Sequence, residues 1–348
     1  MKIMFWSDLH IHPWQDMSKI GSDGLNDRLL DTIDVIGELN SICEEENIRH
    51  RIFGGDLFHK RGEINTTALS LMLSALVDSA GMIEDHFIVG NHDWDLNNKY
   101  HMLRAFANDW THIWDEPWLV ELEGSNVVFS VHPWNEDRLE WRDGYLSIAD
   151  NSCLFSVGHY DFKDILYRGH SIGQGAASRL VRSNTYFFSG HYHDHIVKNN
   201  VVYVGSPIQH NWGDIGSPRG YIIIEVSKAG NVTWKWHPLK GFSEFVEVRS
   251  VKEAAKKDLR NNFVRVVSPS GFSDKERDIF VELFKEREVR GYKFYEEVSE
   301  ISEENLEEEK DKYSTENILD IVQDYVDTRE TKLNKKRLKR IGGEFING

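Results

Sequence analysis

Five short segments of this chain gather side chains that bind divalent metals. They are Asp8-Leu9-His10, Gly55-Asp56-Leu57-Phe58-His59, Gly90-Asn91-His92-Asp93, Gly158-His159 and Gly190-His191-Tyr192-His193. Carboxylate, amide oxygen and imidazole together suit intermediate cations such as Mn²⁺, Fe²⁺ or Zn²⁺. In an extended chain residues i and i+2 point the same way, so Asp8 with His10, and His191 with His193, can each face one pocket. A carboxylate such as Asp56 has two oxygens and can bridge two ions. Ions paired ~3.5–4 Å apart can clamp the attacking and leaving oxygens of an in-line displacement at phosphorus. Each segment alone has a plain structural reading, since His-x-His is often a surface or core pair and Gly-Asn-His-Asp is good turn sequence. Five in this order, each directly after an apolar run, leave little room for coincidence.

Those apolar runs define the elements that must position the segments. Ile3–Trp6, Arg51–Gly54, Phe87–Val89, Val127–Val131, Leu154–Val157, Tyr186–Phe188, Val201–Val204 and Tyr221–Val226 read as strands. Leu25–Glu46 and Thr66–Ala80 read as helices, the second with Asn65 as N-cap and Gly81 at its C-terminal stop. The alternation predicts an α/β domain whose site gathers where strands end. The Gly-rich stretch Arg168–Gly175 lacks a following Lys-Ser or Lys-Thr and is no P-loop.

The expected organisation is a main domain over residues 1–239, a small α/β unit over 240–298 with a helix at Asp274–Glu288, a charged linker over 299–313, and a C-terminal segment over 314–348. In that segment Ile318, Leu319, Ile321, Val322, Tyr325 and Val326 fall at helical spacing, with acidic residues opposite. Such a stripe either packs on its own domain or docks on another protein, and both readings stand.

The chain has 348 residues, 40% hydrophobic, with eleven Trp and eighteen Phe, enough for a sizeable core. No run approaches the ~18 apolar residues of a membrane span, and Met1–Trp6 reads as a first strand, not a signal peptide. Cys43 and Cys153 stand in no metal or redox spacing and fit buried thiols of a reducing cytoplasm. Net charge is −16, and it is uneven. Residues 296–330 hold fourteen acidic and three basic side chains, whereas 331–348 hold one acidic and six basic. The sum argues against a broad basic face for nucleic acid. It leaves room for metals, a partner or a few local cations to hold a phosphate, among them the basic tail Lys332–Arg340.

The ordered set resembles the calcineurin-like metallophosphoesterase superfamily, whose members share D-x-H, G-D-x-x, G-N-H-[DE], G-H and G-H-x-H. Asp56-Leu57-Phe58-His59 is similar to the G-D-L-F-[HD] of its DNA-repair nucleases. Val204-Gly205-Ser206-Pro207 with Arg219-Gly220-Tyr221 resembles the segment that follows their last metal histidines. The likeness is to nuclease subunits of the SbcCD type, including those of T-even-type phages, and covers about residues 1–226. It implies a sandwich of two mixed β-sheets flanked by helices, a capping domain, and a C-terminal helix that binds a coiled-coil ABC-type ATPase. It implies two divalent ions, Mn²⁺ first, with Mg²⁺, Fe²⁺ or Zn²⁺ as alternatives. Asp8, His10, Asp56 and His193 would hold one, and Asp56, Asn91, His159 and His191 the other. His92 would contact phosphate and assist the leaving oxygen, His59 would face phosphate, and Asp93 would hold His92.

DNA is then the implied substrate, cut as double-stranded ends and as single strands, by a homodimer within a two-plus-two heterotetramer. The expected location is cytoplasmic, the host's for a phage gene. One departure is His12, where the family often has Gly; a bulkier residue there reshapes the turn or adds a ligand. His132-Pro133-Trp134 reads as a structural turn at the pocket edge, and His101, His112, His170 and His210 as structural. The rivals are a phosphatase or small-molecule phosphodiesterase of the same superfamily, and a non-catalytic scaffold for the ATPase. Ser/Thr phosphatases carry G-D-x-x-D-R-G and G-N-H-E, from which Gly55–Gly62 and Gly90–Asp93 depart.

Overall fold

Because β-branched and aromatic runs alternate with amphipathic stretches, strands and helices alternate along the first half of the chain. The computed structural model describes residues 1–79, 81–95, 97, 99–149, 153–170, 173–182 and 185–296. In chain order the elements are β1 (Lys2–Trp6), α1 (Asp27–Glu45), β2 (His50–Phe53), α2 (Thr66–Ser79), β3 (Glu84–Ile88), β4 (Thr111–Trp114), β5 (Trp118–Glu121), β6 (Val128–His132), α3 (Arg138–Ala149), β7 (Phe155–His159), β8 (Phe187–Gly190), β9 (Ile196–Lys198), β10 (Val201–Tyr203), β11 (Gly220–Val226) and β12 (Val232–Pro238). A smaller group follows: β13 (Phe245–Val248), α4 (Val251–Ala254), β14 (Phe263–Ser268), α5 (Asp274–Glu286) and β15 (Gly291–Glu296).

Two six-stranded mixed sheets form the sandwich, in the orders β12-β11-β1-β2-β3-β4 and β5-β6-β7-β8-β10-β9. Strands β1 to β4 are parallel to one another, as are β6, β7, β8 and β10. Their central strands are buried on both faces, which is why they read as unbroken apolar runs. In β1, Ile3 and Phe5 face the second sheet and pack in one cluster with Phe129, Phe155 and Phe188. Met4 and Trp6 face the other way, into a cluster with Leu29, Val35 and Leu39 of α1 and Met72 of α2. On the far side of the second sheet, Trp141 and Tyr145 of α3 cluster with Phe187 and Tyr203. Each such fully buried side chain contributes ~1.5–3 kcal/mol by leaving water.

The caps follow the sequence. Asn65 Oδ1 accepts the Thr67 and Ala68 N–H groups at 3.0 and 3.1 Å, and Gly81 stops α2 with φ 83°. Cys43 and Cys153 are buried as thiols, outside any disulfide. A buried charged pair lies between the first sheet and α1: Arg51 of β2 donates to both oxygens of Asp85 at the start of β3, at 2.7 and 2.9 Å, and to Asn40 of α1 at 2.6 Å. Strands β4, β5, β9 and β12 and helix α3 are additions to the sequence reading. They lie at sheet edges or on the surface, where apolar periodicity is diluted.

The order of the small sheet is β13-β14-β15. Chain contacts divide the molecule into two compact units, Met1–Val266 with Asp274–Lys293, and a second whose described residues are Val267–Ser273 and 294–296. Within the first, Arg290 pairs with Asp27 and Asp31 of α1 at 3.1 and 2.5 Å. The linker over 299–313 and the stripe Ile318, Leu319, Ile321, Val322 and Tyr325 lie outside the described residues. Among the described residues no helix is long and apolar enough to cross a membrane.

Candidate metal centre

All five segments leave the carboxyl ends of parallel strands: Asp8 and His10 follow β1, Asp56 follows β2, Asn91 and His92 follow β3, His159 ends β7, and His191 and His193 follow β8. The chain turns sharply there to point successive polar side chains inward. Asp8, His10, Asp56 and His191 all take left-handed backbone conformations, with φ of 57°, 50°, 63° and 94°. Non-glycine residues at such φ carry strain that the surrounding hydrogen bonds must hold. Asp8 N–H donates to Gly55 O at 2.9 Å, His10 N–H to Asp56 O at 3.1 Å, and Ile11 N–H to Leu57 O at 2.7 Å. Gly55 is obligatory for two reasons: its φ is 102°, and a Cβ there would lie 2.5 Å from His159 Nδ1.

The donors converge in two sets. Asp8, His10 and His193 present ligand atoms within 4.8 Å of one another, with His10 Nε2 and His193 Nε2 3.0 Å apart. In the other set Asn91 Oδ1 lies 2.8 Å from His159 Nε2 and 3.0 Å from His191 Nδ1. Asp56 Oδ2 stands between them, 3.7 Å from His10 Nε2 and 3.5 Å from His159 Nε2. Cis ligands ~2.1 Å from one ion are themselves about 3 Å apart, so these spacings fit coordination. His159 Nδ1 donates to Gly54 O at 2.7 Å, since a carbonyl can only accept, which leaves the Nε2 lone pair for a metal.

Electrostatics agrees. Burial, and then neighbouring Asp56, holds the Asp8 carboxyl well above the usual carboxylate range, and the same causes push Asp93 up to about 8. Burial draws His10 well below the usual imidazole value, lowers His159, and brings His193 and His59 down to about 4. The protein alone therefore supplies acids without countercharge and imidazoles that keep their lone pairs. Divalent cations fit both deficits.

Three neighbours extend the site. His92 Nδ1 donates to His59 O at 2.5 Å, and the His92 N–H donates to Asp56 Oδ1 at 2.7 Å. The His59 ring lies 5.5 Å from that of His10 and 5.7 Å from that of His92. Asp93 differs from the expectation. Its carboxylate accepts the N–H groups of Gly90, Asp56 and Leu57 at 2.8 to 2.9 Å, so it clamps the loops of Asp56 and Asn91, whereas the His92 ring is held by the His59 carbonyl. His12 stands with its ring 5.4 Å from His59 and 5.2 Å from Trp14, in neither ligand set.

Three residues read from the sequence as structural, or only as part of a family segment, support the site. His210 Nε2 donates to Asp8 O at 3.0 Å, and its ring lies 5.3 Å from those of His10 and His193. Trp134 stacks on His191 at 5.0 Å. Arg219 donates to the His193 carbonyl and to Ser206 Oγ and pairs with Asp194 and Asp214, fastening the turn that carries His193. The Arg219-Gly220 signal was visible in the chain; His210 sits in a loop with no spacing pattern.

Comparison with known proteins places the chain in a family. The family model for calcineurin-like phosphoesterases matches residues 1–195. Exonuclease subunit 1 of Enterobacteria phage T4 is 26% identical over 254 residues, 68% of this chain and 69% of that protein. Phosphoesterase 244L of Invertebrate iridescent virus 6 is 25% identical over 198 residues, 53% of this chain and 68% of that protein. Among solved structures, a dimetal phosphatase from Danio rerio superposes with a TM-score of 0.44 and 10% identity, over 69% of this chain and 96% of that one. The family match spans more than half of the chain, and the chain belongs to the calcineurin-like phosphoesterases.

Proposed function

We propose that this phosphoesterase is a metal-dependent DNA nuclease, the catalytic subunit of a recombination or repair complex with a coiled-coil ABC-type ATPase. The observation that carries the chemistry is Asp56 Oδ2 lying between His10 and His159, so that one carboxylate joins two ligand sets. DNA as substrate is supported by the likeness to the phage exonuclease subunit. Residues 314–348 are proposed as the ATPase contact, 240–298 as the cap, and the working assembly as two chains with two ATPase subunits. Mn²⁺ is the proposed metal.

Metals held by these residues would supply Lewis-acid charge to the phosphoryl oxygens and lower the pKa of an attacking water. The rest falls to the protein. Nδ1 of His92 is committed as a donor to His59 O, so Nε2 faces the leaving oxygen and gives it a proton when the ring is in its imidazolium form, in which both nitrogens carry hydrogen. His59, drawn down to about 4, stays neutral near pH 7 and offers phosphate a hydrogen bond without a charge. Asp93 keeps Asp56 in register, and Trp134 and His210 restrict the rings of His191, His10 and His193.

The test is cleavage of linear duplex and single-stranded circular DNA in Mn²⁺, beside a small phosphodiester. Wild type is compared with His92→Ala and Asp56→Ala, with and without the ATPase and ATP. DNA cutting lost in both variants, with intact circular dichroism, supports the proposal. A wild type that hydrolyses only the small diester overturns the DNA assignment and leaves a small-molecule phosphodiesterase. A wild type inert on both leaves an organising role.

A further inference from the structure

A second cluster of metal-binding side chains lies at the other end of the same parallel strands. His50 opens β2, Glu84 opens β3, His86 lies two residues along β3, and His112 is the second residue of β4. The sheet register pairs His50 with Glu84 and His86 with His112. Cross-strand partners share a face and residues i and i+2 share a face, so all four side chains project from one side of the sheet. Ligand atoms of His50, Glu84 and His86 lie within 4.8 Å of one another. Glu84 is the hub: Oε2 is 3.5 Å from His50 Nδ1, and Oε1 is 3.6 Å from His86 Nε2 and 2.9 Å from His112 Nε2.

His86 makes this more than an ion pair. It is 2% exposed, yet neither ring nitrogen has a hydrogen-bond partner, nor does Nδ1 of His50. An orphaned buried imidazole costs free energy unless something takes its lone pair. Its ring is confined by Phe129 at 5.7 Å, Trp114 at 6.3 Å and His112 at 5.2 Å. His112, with 38% of its side chain exposed, leaves the cluster open to entry from solvent. Burial and the neighbouring imidazoles bring His86 down to about 3, and burial lowers His50, so both remain unprotonated ligands at neutral pH.

We propose that His50, Glu84 and His86, with His112 beside them, bind one Zn²⁺-class cation separate from the catalytic centre. Imidazoles with one carboxylate suit zinc, copper or nickel and not Ca²⁺ or Mg²⁺. The ion joins β2 and β3 and, through His112, draws in β4, which is the edge of its sheet. Its role is structural: it pins the amino-terminal ends of strands whose carboxyl ends carry Asp56 and Asn91.

The experiment uses the full chain with both ligand sets of the catalytic centre disabled by His10→Ala, Asp56→Asn, His191→Ala and His193→Ala, stripped of metal and titrated with Co²⁺. The expected result is one equivalent bound with the intense absorption of four-coordinate cobalt, displaced by Zn²⁺, and a rise in melting temperature with either ion. Adding Glu84→Gln or His50→Gln, neither fully buried, weakens Co²⁺ on the order of 100-fold and abolishes the rise, while circular dichroism stays unchanged. No cobalt absorption in the disabled chain, or the same absorption with Glu84→Gln, overturns the proposal and leaves Glu84 as the ion-pair partner of His112.

Discussion

Replacing Asp93 by Asn separates two ways in which this residue can act. Its carboxylate accepts three backbone N–H groups, with Oδ2 serving Gly90 and Asp56 and Oδ1 serving Leu57. Asparagine keeps one oxygen, which can retain the Gly90 and Asp56 bonds, and sets an NH₂ against the Leu57 N–H. One buried donor is then left facing another, a loss of about 1–3 kcal/mol in stability. Asp56 is the next residue along the strained turn, so its oxygens lose their fixed position between His10 and His159. Supports of this kind are worth ~10–100-fold in metal affinity. The assay is activity against Mn²⁺ concentration. The half-saturating Mn²⁺ of Asp93→Asn should rise by that factor, while its rate at saturating metal returns close to wild type. A variant that binds Mn²⁺ normally but stays slow at saturation, like His92→Ala, would refute the clamp and restore the idea that Asp93 holds the His92 ring.

His92→Ala itself should keep full metal occupancy and lose ~10²–10⁴ in kcat, as expected of a proton donor and not a ligand; metal content measured beside kcat checks this. Arg51→Met strands Asp85 in the core and should cost about 3–5 kcal/mol in denaturant unfolding, with Asp85→Ala similar and the double variant less than their sum. His132 lies fully buried among Trp141, Tyr145 and Phe187, and burial brings it down to about 3. The unfolded chain binds this proton below about pH 6.5 and the folded chain does not. Its contribution to stability is therefore complete above that pH and falls by about 1.4 kcal/mol per unit as pH drops toward 3. His132→Leu, which leaves Ser130 bonded to Ser156, should flatten the urea midpoint between pH 6 and 4 by that slope.

The centre was legible because its chemistry is local. Each ligand pair follows a strand at fixed spacing, and buried parallel strands write themselves as apolar runs, so β1, β2, β7 and β8 located Asp8, Asp56, His159 and His191 together. The helix α2 was equally plain from Asn65 and Gly81. What escaped notice depends on distant chain segments. The Asp56 N–H that donates to Asp93 and the His59 carbonyl that accepts from the His92 ring come from loops some 35 residues away, and nothing in Gly90-Asn91-His92-Asp93 says which neighbour each will meet. His50, Glu84, His86 and His112 carry no motif at all; only the register of β2, β3 and β4 sets them side by side.

The most direct test of the two-ion centre is electron paramagnetic resonance of the Mn²⁺-loaded protein. If Asp56 joins the two ligand sets, two Mn²⁺ ions per chain give an exchange-coupled signal, and Asp56→Asn replaces it with isolated Mn²⁺ or none. A wild type showing only isolated Mn²⁺ at full loading would contradict the shared carboxylate on which the account rests.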